Sequence, residues 1–206
     1  MPRTLSPLVL ILCSTLASGQ QQKLAAPTSA DARLVVTQFA AAPDIVQPIA
    51  LDFDAKGRLL VVESHTHFRP AKYDGPKADR IRVLEDTDGD GKADKFTTYF
   101  EGLTHTMDLA VHFDGSVYVA TRNELLRLRD TDNDGKADEK TRLAFLETKG
   151  NYPHNGLCGL SFDSRGDLNF GMGENLGADY KLVGADGTTL AGGGEGGNVY
   201  HMTADG

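Results

Sequence analysis

Leu51-Asp-Phe53-Asp54-Ala-Lys-Gly57-Arg-Leu59 recurs in two variants, Val111-His-Phe113-Asp114-Gly115-Ser-Val117 and Leu160-Ser-Phe162-Asp163-Ser-Arg-Gly166-Asp-Leu168. Each reads as an apolar strand end, an aspartate that opens a turn, a glycine that closes it, and a second strand: one hairpin written three times. The three phenylalanines recur at intervals near the ~40–50 residues of a β-propeller blade, once an insertion around His65 to Asp79 is allowed for.

Outward from these hairpins, short β-rich runs follow one another and no convincing helix is found from Leu34 onward. The runs are Ile49–Phe53, Arg58–Glu63, Arg80–Glu85, Phe96–Phe100, Leu109–Phe113, Ser116–Thr121, Leu125–Arg129, Arg142–Glu147, Leu157–Phe162, Leu168–Met172, Tyr180–Val183 and Asn198–Met202. Many short strands between turn signals mean an all-β sandwich, barrel or propeller, and the internal repeat selects the β-propeller. The expectation is three four-stranded blades. Propellers close with typically four to eight blades, so the chain is expected to be the N-terminal part of a longer ring.

Between the third and fourth strands of the first two blades stands a second repeat, Asp86-Thr-Asp88-Gly-Asp90-Gly91-Lys92-Ala-Asp94 and Asp130-Thr-Asp132-Asn-Asp134-Gly135-Lys136-Ala-Asp138. Carboxylates occupy positions one, three, five and nine, and a glycine at position six permits the sharp turn of an EF-hand-type calcium loop. Lys92 and Lys136 hold position seven, which in such a loop supplies a backbone carbonyl. The bidentate glutamate of position twelve is replaced by Thr97 and Thr141, and the flanks are strands. Both copies therefore read as structural Ca2+ loops on a β scaffold, the bland alternative being solvated acidic turns.

Antiparallel blades sort the remaining polar residues. The Phe-Asp turns and the aspartate loops fall on one rim, while residues before a first strand or after a second strand fall on the other, where the central channel opens. His105 and His154 enter the first strands of blades two and three at equivalent places. Arg122 and Glu174 follow second strands, as do Glu63, His65 and His67. Glu63-x-His65-x-His67 places three metal-capable groups on one face if the strand continues that far. Cys158 at an apolar strand start reads as an inert buried thiol, and Gly192 to Gly197 as a flexible loop.

Residues 1–19 carry Arg3, the apolar run Leu8–Leu16 and the small residues Ala17-Ser18-Gly19, a secretory signal; residues 20–33 read as a linker and 34–206 as the partial propeller. The protein is thus expected to be exported, to the periplasm or outside the cell. Once the signal is removed, Cys158 is the only cysteine, so no internal disulfide is available. No later apolar run reaches a membrane span. A net charge of −8 with no basic cluster argues against a nucleic-acid partner.

The stretch His154-Asn-Gly156-Leu157-Cys-Gly159-Leu160-Ser-Phe162, continuing to Gly173-Glu174, resembles the soluble glucose/sorbosone dehydrogenases. Those are six-bladed propellers that use pyrroloquinoline quinone (PQQ). Val62-Glu63-Ser64-His65, the aspartate loops and Tyr152-Pro-His154-Asn-Gly156-Leu are similar to the planctomycete and verrucomicrobial family of membrane-bound dehydrogenases. The resemblance implies a sugar or alcohol substrate, PQQ as cofactor, His154 as catalytic base and a c-type cytochrome as electron acceptor; on the rim, Arg122 or His105 reads as electrostatic support. Glu174 stands where the quinoproteins have aspartate. A non-catalytic carbohydrate- or protein-binding propeller and a calcium-dependent lactonase-like hydrolase fit the same polar rim.

Overall fold

The structure, a computed structural model, describes residues 28–67, 69–150, 156–194 and 196–203. The predicted signal and His154 lie outside the described residues, as does most of the predicted linker. Residues up to Val36 form a unit of their own, and the β fold occupies the unit that starts at Thr37. Among the described residues there is no helix, hence none long and apolar enough to cross a membrane.

The strands are β1 (Pro48–Phe53), β2 (Leu59–Glu63), β3 (Asp79–Glu85), β4 (Lys95–Leu103), β5 (Thr106–Val111), β6 (Val117–Thr121), β7 (Glu124–Arg129), β8 (Glu139–Thr148), β9 (Leu157–Phe162), β10 (Leu168–Met172), β11 (Gly177–Gly184), β12 (Thr189–Gly194) and β13 (Asn198–Met202). β1 to β4 form one antiparallel sheet in sequence order, β5 to β8 lie in sequence order within a second, and β9, β10 and β13 form a third. β1 packs on β5 and β5 on β9, so the first strands of successive blades are neighbours, as in a propeller.

Burial follows from this stacking. The second strand of an inner blade is covered on both faces, so it needs apolar residues at every position rather than at alternate ones. Val117-Tyr-Val-Ala-Thr121 is buried throughout. Its alternate side chains serve opposite cores: Val117 and Val119 join Leu60, Val62, Ile81 and Val83 of blade one, whereas Tyr118 and Ala120 join Leu157, Leu168 and Phe170 of blade three. The other face of blade one is covered by Phe39, Ala40 and Ile45 against Val61, Leu84 and Phe96. The Phe39 carbonyl accepts the Ala93 N–H at 2.8 Å, and the Tyr99 carbonyl accepts the Ala137 N–H at 2.8 Å. The segment around Phe39 thus does for the first acidic loop what β4 does for the second.

Two aspartates tie neighbouring first strands. Asp52 accepts the Val111 N–H at 2.8 Å, and Asp108 accepts the Leu160 N–H at 2.8 Å. His112 lies in the turn after β5 rather than within a strand; its ring packs 4.8 Å from that of Phe162 and its Nδ1 is 2.8 Å from Asp114 Oδ1.

The third blade departs from the sequence expectation. Tyr180–Val183 belongs to β11, which pairs with β8 of blade two, Tyr180 opposite Thr148 and Leu182 opposite Leu146. β12 adds to β11, and the second sheet becomes six-stranded in the order β12-β11-β8-β7-β6-β5. The third strand of blade three is β13, with Leu168 opposite Met202. Leu182 and Val183 of β11 find apolar partners along the free edge of β8, which captures the hairpin. Gly192 to Gly194 lie in strand β12 and not in a loop; Glu195 lies outside the described residues. The glycines leave room there for neighbouring side chains, since a Cβ at Gly192 would meet the Tyr180 ring and one at Gly193 the Asp179 carboxylate.

Replacing Asp108 by alanine strands the Leu160 N–H and removes a charge-assisted bond worth about 1.5–3 kcal/mol. The expected result is a lower denaturant midpoint at unchanged slope, measured by urea titration of wild type and Asp108→Ala.

Candidate functional site

The turns after β1, β5 and β9 and the two acidic loops lie on one rim, because all follow odd-numbered strands of antiparallel blades. In both acidic loops the chain turns left-handed at positions four and six, Gly89 (φ 77°) and Gly91 (φ 85°) in the first and Asn133 (φ 62°) and Gly135 (φ 91°) in the second. This curls the backbone round the position-one carboxylate. Asp86 accepts the Gly89 and Gly91 N–H groups at 2.8 Å, and Asp130 accepts Gly135 N–H at 2.9 Å. The N–H of Gly91 foremost holds the Asp86 carboxyl below its ordinary range. Carboxylate oxygens of Asp86, Asp88 and Asp94 come within 4.8 Å of one another, as do those of Asp130, Asp132 and Asp134. Asp138 accepts the Thr131 hydroxyl, as Asp94 accepts that of Thr87. The Lys92 and Lys136 N–H groups each donate at 2.8 Å, to Asp90 and Asp134. Converging carboxylates inside a shell of N–H donors suit a hard cation with oxygen ligands.

On the opposite rim a buried network joins blades one and two. Glu63 is fully buried: one oxygen accepts the Val46 N–H at 2.7 Å and the other accepts Arg80 Nε, with Arg82 at 3.7 Å. Burial pushes the Glu63 carboxyl up, but Arg80, the Val46 N–H and Arg82 outweigh it and hold the group below its ordinary 4.5. β2 ends at Glu63, so the alternation needed for Glu63-x-His65-x-His67 stops there. His65 Nδ1 lies 2.5 Å from the Tyr73 hydroxyl and Nε2 is 3.6 Å from Glu63 Oε2. Among the described residues these three do not converge as metal ligands.

Asp79, fully buried at the start of β3, accepts four hydrogen bonds: from the His65 and Thr66 N–H groups at 2.6 and 2.8 Å, the Thr66 hydroxyl at 2.9 Å and the Thr106 N–H at 2.8 Å. Thr66 Oγ1 in turn accepts the His105 N–H at 2.6 Å. His105 is thereby held in a left-handed conformation (φ 51°), uncommon outside glycine, immediately before β5. Its carbonyl accepts the Arg122 N–H at 2.9 Å, and Arg122 Nη2 lies 3.5 Å from His105 Nδ1. Burial first, then the Arg122 charge, lower the His105 pKa, which favours the uncharged imidazole. The sequence singles out His105 and Arg122 but not Asp79 and Thr66, whose only signal is a polar residue close to a strand end.

His105 and Arg122 line a recess of about 490 Å³ with Thr104, Asn123, Phe145 and Glu147. A second recess of about 750 Å³ adjoins it, built by β8 and the β11–β12 hairpin and lined by Lys149, Asp179, Tyr180 and Lys181. Gly156 packs directly against Arg122, leaving no room for a Cβ. Cys158 is half-buried on β9 rather than fully buried, and burial, then Asp108, push its thiol up. Glu174 is exposed.

The family described as "Domain of unknown function (DUF7133)" matches residues 25–183. No curated protein matches. Among solved structures, a Trichoderma reesei carbohydrate-active enzyme of family AA12 is similar at TM-score 0.50 and 22% identity, over 73% of this chain and 35% of that one. The PQQ domain of pyranose dehydrogenase from Coprinopsis cinerea follows at TM-score 0.48 and 14% identity, over 69% of this chain and 34% of that one. A virginiamycin B lyase from Staphylococcus aureus stands at TM-score 0.41 and 17% identity, over 73% and 42%. The first likeness establishes the β-propeller fold, and the chain spans about a third of that enzyme's length.

Because the folded Glu63 pKa is depressed, its stabilisation is complete above the ordinary 4.5 and is lost as pH falls through the folded value. Melting temperature followed from pH 7 to pH 3 should fall less steeply in Glu63→Gln than in wild type, from a lower starting point. Asp79→Asn turns an amide NH2 towards backbone donors and should cost roughly 2–4 kcal/mol, read as a fall in melting temperature of several degrees.

Proposed function

We propose, for a chain that belongs to the family described as a domain of unknown function (DUF7133), that it is the dehydrogenase-like propeller part of an exported enzyme oxidising a sugar or alcohol. The observation that carries this reading is the recess of about 490 Å³ at the channel rim, which brings a guanidinium and a neutral imidazole to one small-molecule-sized cavity. The resemblance of Tyr152-Pro-His154-Asn-Gly156-Leu to the planctomycete and quinoprotein dehydrogenases supports it.

PQQ, the cofactor that resemblance implies, is a flat polyanion. Arg122 fits such a group, since among the described residues no carboxylate lies within ion-pair distance of it. When bound, the quinone supplies a hydride acceptor. His154 takes the hydroxyl proton of the substrate, for which an imidazole with a pKa near 6.5 is suited at neutral pH. His105 does not share that role: its Nδ1 faces Arg122 and its basicity is lowered, so it supports by hydrogen bonding. The acidic loops hold structural calcium through Asp86, Asp88, Asp90 and Asp94, with the Lys92 carbonyl, and through Asp130, Asp132, Asp134 and Asp138, with that of Lys136. A c-type cytochrome serves as the electron acceptor.

The larger recess beside the hairpin, open and lined by Tyr180, Asp179 and two lysines, favours as second reading a glycan-binding propeller without turnover. The full-length protein supplied with PQQ and aldoses should reduce a dye; His154→Ala should lower kcat by ~10²-fold or more and His105→Ala by less. Saturable glycan binding with no dye reduction would select the second reading. For calcium, the expected result is a melting temperature that rises with added Ca2+ and drops in chelator. A hundredfold excess over Kd adds about 2.7 kcal/mol per site. Melting indifferent to both would leave only acidic turns.

A further inference from the structure

Arg122 is half-buried in the β6–β7 turn, and among the described residues its guanidinium meets uncharged groups: Nε lies 3.4 Å from Asn123 Oδ1 and Nη2 3.5 Å from His105 Nδ1. Its backbone is held on both sides, by the His105 carbonyl at 2.9 Å and the Leu157 N–H at 3.2 Å, and Gly156 lies against its Cγ. The backbone that carries the charge is therefore held, and among the described residues most of the five guanidinium donors are unspent. A guanidinium only donates, so the His105 nitrogen facing it carries a lone pair and the ring proton sits on Nε2. The pair presents N–H donors and no acceptor. Two uncharged polar liners are committed to the rim itself: Asn123 Nδ2 donates to the Leu146 carbonyl at 2.9 Å, and Thr148 Oγ1 accepts from Asn175 at 2.8 Å.

We propose that Arg122 and His105 form a recognition site for a carboxylate, so that the ligand of this recess is an acidic sugar or another organic acid rather than a neutral one. The planar fork of arginine matches the two oxygens of a carboxylate. Glu124 and Glu147 line the same recess, Glu124 with Arg142 at 3.3 Å, so the carboxylate would be placed by the Arg122 fork and not by a net positive lining. The recess of about 490 Å³ holds a pyranose acid with room to spare. The proposal rests on the rim recess being the ligand site and not on redox chemistry. The carboxylate has two possible sources, the substrate or a quinone cofactor, and both would use the same donors.

The test is calorimetric titration of the full chain, without turnover, using D-glucuronate, D-glucose and PQQ separately. Glucuronate or PQQ should bind at least about tenfold more tightly than glucose at low salt, the difference narrowing as salt is added. Arg122→Gln should abolish the preference and Arg122→Lys should restore it in part, since the charge returns without the fork. Binding by glucuronate places the carboxylate on the substrate, and binding by PQQ alone places it on the cofactor. If wild type binds neither anion better than glucose, or if the preference survives Arg122→Gln, the proposal is overturned. Dye reduction with neutral aldoses but no anion preference would overturn this inference and leave the dehydrogenase reading standing. Anion binding with no dye reduction would do the reverse.

Discussion

A propeller blade cannot bury its own second strand. Val117-Tyr-Val-Ala-Thr121 sends alternate side chains into two different cores, one shared with blade one and the other with blade three. Removing either neighbour would return half of those apolar side chains to water, at about 25 cal/mol for each Å² exposed. The same constraint explains why a stretch around Phe39 lies over blade one: its carbonyl meets Ala93 as the carbonyl of Tyr99 meets Ala137. What stabilises this fold is the stacking of sheet on sheet, and each blade's polar fittings exist to fix that stacking.

Asp79 is where packing and site become one question. A fully buried carboxylate is tolerable only when donors surround it, and Asp79 has four, drawn from the chain after β2 and from the first residue of β5. Those donors belong to two blades, so the carboxylate fixes their relative setting. Through Thr66 it also holds the His105 N–H, and with it the left-handed turn that brings the imidazole beside Arg122. The rim geometry thus depends on the interface beneath it rather than on local loop propensity.

Features encoded within a few residues are legible in the sequence. The Phe-Asp hairpins, the two acidic loops with the left-handed glycine at position six, and most strand positions all follow from local chemistry, whereas the left-handed fourth position, Gly89 or Asn133, is seen only in the structure. Features that need a distant partner are not. Tyr180–Val183 reads as a strand in sequence, but nothing there says that its mate is β8 and not β10. Gly192 to Gly194 look like a flexible loop until the Tyr180 ring is laid over them. Glu63-x-His65-x-His67 suggests ligands on one face until the strand ends at Glu63 and Arg80 takes its carboxylate. Asp79 has no motif at all, because its donors come from two other stretches of chain, one before β3 and one after β4.

The distribution of charge separates the two rims. The chain carries a net −8, and eight of its aspartates lie in the two acidic loops. Around His105, by contrast, the groups that depress its pKa are Arg122, His67 and Arg69, while Asp79, the carboxylate that opposes them, is buried and saturated with donors. The recess beside them is mixed in charge, since Glu124 and Glu147 line it together with Arg122, so an anion there would be placed by the Arg122 fork and not by a net positive field. Blade two thus carries the Arg122 guanidinium before β7 and the Asp130 loop after it, at opposite ends of one strand.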